Sequence, residues 1–110
     1  MSRFRYSTNP AMFVGRNAIV TGASSGIGRD VATMFASQGA NVALVARRGE
    51  LLRSLAGQLT EFGVAALPLV CDVTDQSQVN QAVDAAYDAF GGIFLVVIIV
   101  GLLFDWLFFV

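Results

Sequence analysis

The sequence predicts an α/β protein built on a parallel sheet, with strand and helix alternating three times. Short β-rich apolar runs recur at Asn17–Thr21, Asn41–Ala46 and Val64–Cys71. After each run, apolar residues repeat at helical spacing. Each helical stretch then meets glycine, at Gly39, Gly63 and Gly91-Gly92, the residue that most readily takes the left-handed turn closing a helix. Alternation of this kind specifies right-handed βαβ crossovers and a parallel sheet.

Composition narrows the chemistry. A chain of 110 residues suits one small domain. Seven arginines against eight acids leave a net charge of −1, which argues against a nucleic-acid partner. A single cysteine excludes an internal disulfide and a multi-cysteine zinc site. The sequence holds no histidine and no lysine. It therefore lacks the commonest general base near neutral pH and every lysine-dependent mechanism. The hydrophobic share of 55% is unevenly spread. It covers 45 of the first 92 residues, an ordinary share, but 16 of the last 18.

The elements follow in order. Residues 1–15 show no period and no apolar stretch behind Arg3 and Arg5, so they read as an N-terminal extension and not as a secretory signal. Asn17–Thr21 is a short buried strand bounded by Gly15 and Gly22. A helix follows over about Gly26–Gln38, with Ile27, Val31, Met34 and Phe35 on one face. Asn41–Ala46 is the second strand. Leu51, Leu52, Leu55, Leu59 and Phe62 mark the second helix, which Gly63 stops. Val64–Cys71 is the third strand; Pro68 cannot donate to a ladder, which puts this strand at a sheet edge. Asp75 and Gln78 have the spacing of a capping box. The helix they open carries Val79, Ala82, Val83, Ala86 and Phe90.

Thr21–Gly28 reads TGASSGIG, between a strand and the helix it opens. Gly22 permits a tight turn. Gly26, without a Cβ, lets a pyrophosphate approach the backbone. Gly28 lets the helix lie close to the strand. The helix N-terminus offers free N–H groups and a partial positive charge to phosphates. Ser24 and Ser25 add hydroxyl donors. A glycine turn without a ligand is the alternative, and the strand–helix context favours the nucleotide site.

The second strand ends in Ala46, Arg47 and Arg48. NAD sites place a carboxylate there for the ribose hydroxyls; an arginine instead suits a 2′-phosphate. NADP is the expected cofactor and NAD the less favoured one, with Arg47 reading the phosphate and Arg48 and Arg29 close by. The plain alternative makes both arginines a solvated helix start. Asp72 follows the third strand at its C-terminal end, where ligands gather on parallel sheets. Asp75 reads as the helix cap, leaving Asp72 free, and Cys71 reads as a buried apolar residue.

The spacing Gly-x3-Gly-x-Gly in TGASSGIG resembles the cofactor loop of the classical short-chain dehydrogenases/reductases. The resemblance runs from about Phe13 to Gly92 and includes GRNAIVTGASSGIG, NVALVARR, CDVTD and AFGGI. It implies a partial Rossmann-type, doubly wound parallel sheet (β-α-β-α-β-α-β) and an NAD(P)-dependent oxidoreductase. By the same resemblance, Gly22, Ser24, Ser25, Gly26, Ile27, Gly28, Arg47, Arg48, Asp72 and Val73 bind the cofactor. Asp72 would bond the adenine amine, and the backbone of Val73 would bind the ring.

Two features depart from the family pattern. The fourth strand ends there in Asn-Asn-Ala-Gly. Here Ile98 and Ile99 stand at the asparagines, Val100 at the alanine, and only Gly101 agrees. The family's serine and Tyr-x-x-x-Lys pair are also missing. Tyr6 and Tyr87 precede Pro10 and Gly91 at that spacing, so no catalytic residue is assigned. The expectation is an NADP-binding part, cut before the catalytic segment.

The sequence thus divides into an extension (1–15), a cofactor-binding half-domain (16–92) and an apolar tail (93–110). As a helix the tail would reach about 27 Å, just short of a bilayer core. Its apolar residues favour insertion by roughly −7 kcal/mol, against about +3 for a central aspartate. No arginine or lysine flanks it to set an orientation, and FLVVIIV also reads as a fourth strand. A strand through about Val100 followed by an apolar piece is favoured over a membrane segment. Self-association or membrane contact through 93–110 follows from either reading, for a chain otherwise expected in the cytoplasm. Two rival functions stay open: a non-enzymatic nucleotide-binding module, and a small membrane-anchored relic.

Overall fold

The computed structural model describes residues 12–24 and 26–92, together with the backbone of 95–98. Four strands form one sheet: β1 (Asn17–Thr21), β2 (Asn41–Ala46), β3 (Ala66–Val70) and β4 (Leu95–Ile98). Their order is β3-β2-β1-β4 and every pairing is parallel. The chain therefore builds outward from β1 to β3, then crosses back to set β4 against the free side of β1. The helices are α1 (Gly26–Ser37), α2 (Gly49–Leu59) and α3 (Gln76–Phe90).

Alternation along the strands divides the core in two. Val20, Val42, Leu44 and Ala46 point to one face, where α1 and α2 cover them with Ala32, Phe35, Ala36, Leu52, Leu55 and Leu59. Ile19, Ala43, Val45 and Cys71 point to the other face, against Ala82 and Ala86 of α3. A sheet with helices on both faces buries its central strand completely, and β2 is buried from Val42 to Ala46. Beside α3 the cover is thinner. An apolar cleft of about 290 Å³ opens there between Thr21, Val45, Cys71, Val73, Val79 and Val83.

Pro68 lies in β3, at the outer edge of the sheet as its missing N–H requires. The Val42 N–H donates to the Ala65 carbonyl and the Cys71 N–H to that of Ala46. Residues of that parity face β2, so Pro68 turns its nitrogen to the open edge.

Asparagines tie the other end of the sheet. Asn17 Nδ2 donates to the Gly92 carbonyl at 2.8 Å and to that of Phe90 at 3.3 Å. Asn41 Nδ2 donates to Asn17 Oδ1 at 3.1 Å, and Asn41 Oδ1 accepts the Ala65 N–H at 2.9 Å. One polar chain thus joins the starts of β1 and β2 to the turn after α3. The end of the expected extension also packs on the body. The Phe13 N–H donates to the Gln38 carbonyl at 2.8 Å, and its ring lies 5.2 Å from that of Phe35.

Three side-chain expectations are corrected. Ile27 is 65% exposed, and the buried residues of α1 are Gly28, Ala32, Phe35 and Ala36. A Cβ on Gly28 would overlap the Gly22 carbonyl. That close approach fixes the rotation of α1 and turns its small residues, not Ile27, inward. Phe62 is exposed because α2 ends at Leu59 and a 3-10 turn over Thr60–Phe62 carries it outward to Gly63, at φ +85°. Val83 is 38% exposed on the rim of the cleft. The strand expected through about Val100 is described from Leu95 to Ile98; the rest of the tail lies outside the described residues.

Candidate functional site

The C-terminal ends of β1, β2 and β3 lie side by side, because Thr21 pairs with Val45 and Ala46 with Val70. The glycine turn, the arginines and the Asp72 loop leave from those ends. This edge also holds the point where strand order reverses, between β1 and β4, and crevices of doubly wound sheets form there.

Gly22 takes φ +68°, a left-handed conformation that a side chain disfavours. Ala23 is buried and its N–H donates to the Val45 carbonyl at 3.2 Å, anchoring the turn to β2. Gly28 abuts the Gly22 carbonyl. A Cβ on Gly26 would meet nothing within 4 Å, so the space over that backbone is open. No acid stands in the first turn of α1 to compete for its N–H groups. Ser24 is half-buried in the turn. Ser25 lies outside the described residues. Ile27 stands exposed beside the turn.

Arg47 and Arg48 are both exposed. Arg48 is the N-cap of α2 and supplies no side-chain cap; a guanidinium has no acceptor to offer. The Arg53 guanidinium folds back toward Gly49 at the start of the same helix. Sequence reasoning missed this cation, and the sequence held no signal for it, because glycine offers no side chain for an i, i+4 pair. Arg29 is exposed on α1.

Asp75 is the N-cap of α3, accepting the Ser77 N–H at 3.0 Å and the Gln78 N–H at 3.3 Å. The expected box is altered in one bond. Gln78 Oε1 accepts the N–H of Asp72, at 2.8 Å, and not that of Asp75. The Asp75 N–H already donates to the Asp72 carbonyl. Asp72 is also not wholly free. Its Oδ1 accepts the Thr74 hydroxyl at 2.7 Å and the Thr74 N–H at 2.9 Å. The hydroxyl bond first and the backbone bond second hold the Asp72 carboxyl below the usual carboxylate range, and the Arg47 charge adds to this. Burial first, and the neighbouring Asp72 and Asp75 charges second, push the Cys71 thiol upward.

Ile98 ends β4 opposite Thr21. Ile99, Val100 and Gly101 lie outside the described residues. Among the described residues, no group of His, Cys, Asp and Glu could hold a metal ion, and no helix is long and apolar enough to cross a membrane.

A parallel sheet in this order, with a glycine turn opening α1 at its C-terminal edge, defines a Rossmann-type nucleotide-binding fold. The chain belongs to the short-chain dehydrogenase family, whose sequence profile matches residues 16–106. The match continues past Gly92 into the apolar run. A glycine betaine reductase of Emericella nidulans is 46% identical over 90 residues, which are 82% of this chain and 7% of that protein. Among solved structures, the L-sorbose reductase of Gluconobacter frateurii, complexed with NADPH and L-sorbose, is 38% identical with a TM-score of 0.74, over 79% of this chain and 34% of that one. An NAD+-bound xylitol dehydrogenase is 35% identical with a TM-score of 0.75, over 77% and 33%. The chain thus spans about a third or less of the length of these proteins.

Proposed function

We propose that these residues bind NADP(H) by its adenosine and pyrophosphate half, as the cofactor-binding part of a short-chain dehydrogenase-type oxidoreductase. The observation that carries this reading is the convergence on one sheet edge of the glycine turn, Arg47 and Asp72, with no carboxylate at Ala46–Arg48. The pyrophosphate fits the open space over Gly26, against the first N–H groups of α1 at Ile27 and Gly28, with Ser24 and Ser25 as hydroxyl donors. Arg47 holds the 2′-phosphate and Arg48 shares its charge. Asp72 accepts from the adenine amine and the Val73 backbone borders the ring. When bound, the cofactor supplies the hydride chemistry. The described residues hold and orient it, and the family's Tyr-x-x-x-Lys pair is not among the 110 residues. Turnover of a carbonyl substrate is therefore not expected from this stretch by itself.

Titration with NADPH and NADH tests the reading. Arg47→Ala should weaken NADPH binding by about ten- to a hundredfold, the worth of a hydrogen bond to a charged group, and change NADH binding by less than about threefold. Equal losses for both cofactors would refute the role given to Arg47.

A further inference from the structure

We propose that Gln78, on the first turn of α3, is a positioning residue that fixes the carboxylate of Asp72 for reading the base of an adenine nucleotide. This inference rests on the adenine reading of Asp72 given above. Asp72 is the first residue past the last ladder bond of β3, from the Cys71 N–H to the Ala46 carbonyl. Its own N–H has no strand to donate to. Gln78 Oε1 supplies the acceptor, at 2.8 Å. The other half of the same amide, Nε2, donates to Asp75 Oδ2 at 3.2 Å. The amide orientation is forced, since only its oxygen can accept an N–H and only its nitrogen can donate to a carboxylate. The backbone of Asp72 is thereby locked to the helix start. Thr74 locks the side chain of Asp72, and both its bonds fall on Oδ1. Oδ2 is left as the oxygen to present to a ligand donor. An exposed carboxylate on an unpinned strand end would lose this direction.

The test uses the whole chain and two probes, adenosine 2′,5′-bisphosphate and its purine counterpart, which lacks the 6-amine. Purine keeps N1 as an acceptor, so the ratio of the two affinities reads the bond from the amine to Asp72. The unchanged chain should prefer adenine by about tenfold, and Asp72→Ala should abolish the preference. Gln78→Leu should bring the ratio to within about twofold of unity. Gln78→Glu should do the same, because a second carboxylate then faces Asp75. The pair Asp75→Asn with Gln78→Glu exchanges donor and acceptor, keeps a capping side chain at position 75, and should restore the preference. The ratio of affinities, unlike thermal stability, is not expected to move for a residue that merely supports the helix, and the pair reads the role even if a single variant fails to fold. Full preference in Gln78→Leu, or no restoration in the pair, overturns the inference. Full preference in Asp72→Ala instead overturns the adenine reading on which it rests.

Discussion

Asp72 and Thr74 make the sharpest residue-scale case. The Asp72 carboxyl is held below its usual range, chiefly by the Thr74 hydroxyl. A depressed folded value contributes stability above the unfolded carboxylate range and loses it as pH falls through the lowered value. Thr74→Val removes the larger cause and keeps the backbone bond. The carboxyl should then titrate higher, nearer its unfolded value, and the acid-dependent loss of stability that it contributes should shrink. Carbon NMR titration of the carboxyl measures this; an unmoved midpoint would show that the hydroxyl is not the cause. The identities of Asp72, Asp75 and Gln78 were legible in the sequence, but their division of labour was not. The spacing names a capping box, while the carbonyl that receives the Asp75 N–H is set by the turn after β3. With that donor already taken, Gln78 serves Asp72.

At the scale of elements, strand and glycine positions were legible because they follow short-range rules. The observed β1 and β2 keep the expected bounds, and Gly39, Gly63 and Gly91 take positive φ. The inward face of α1 was less legible. Periodicity weighs large apolar residues, whereas α1 packs by its small ones, Gly28, Ala32 and Ala36, with Phe35. Nor did any pattern announce the link between Asn17 and Asn41, which joins elements distant in sequence. Asn17 bonds the carbonyls of both Phe90 and Gly92 from a half-buried position. Asn17→Ala should therefore cost about 1–3 kcal/mol of unfolding free energy, read by urea denaturation. A cost near zero would make the asparagine chain ornamental.

At the scale of the whole molecule, one sheet edge gathers the segments proposed to hold one ligand. The parallel pairing follows from the alternation of elements, and the outer place of β3 agrees with a single proline; the reversal that sets β4 beside β1 is not contained in the alternation. What Ile98 does at the end of β4 was not legible, because the family pattern that gives its position meaning is polar. Amide hydrogen exchange of the full chain, with and without NADPH, tests the central claim most directly. Exchange should slow in three separate segments: the turn and helix start over 22–28, the arginines and α2 start over 47–50, and the loop over 72–74. The asparagine-linked end of the sheet should be unchanged. Protection confined to that opposite end, or none in these three segments at saturating NADPH, would contradict it.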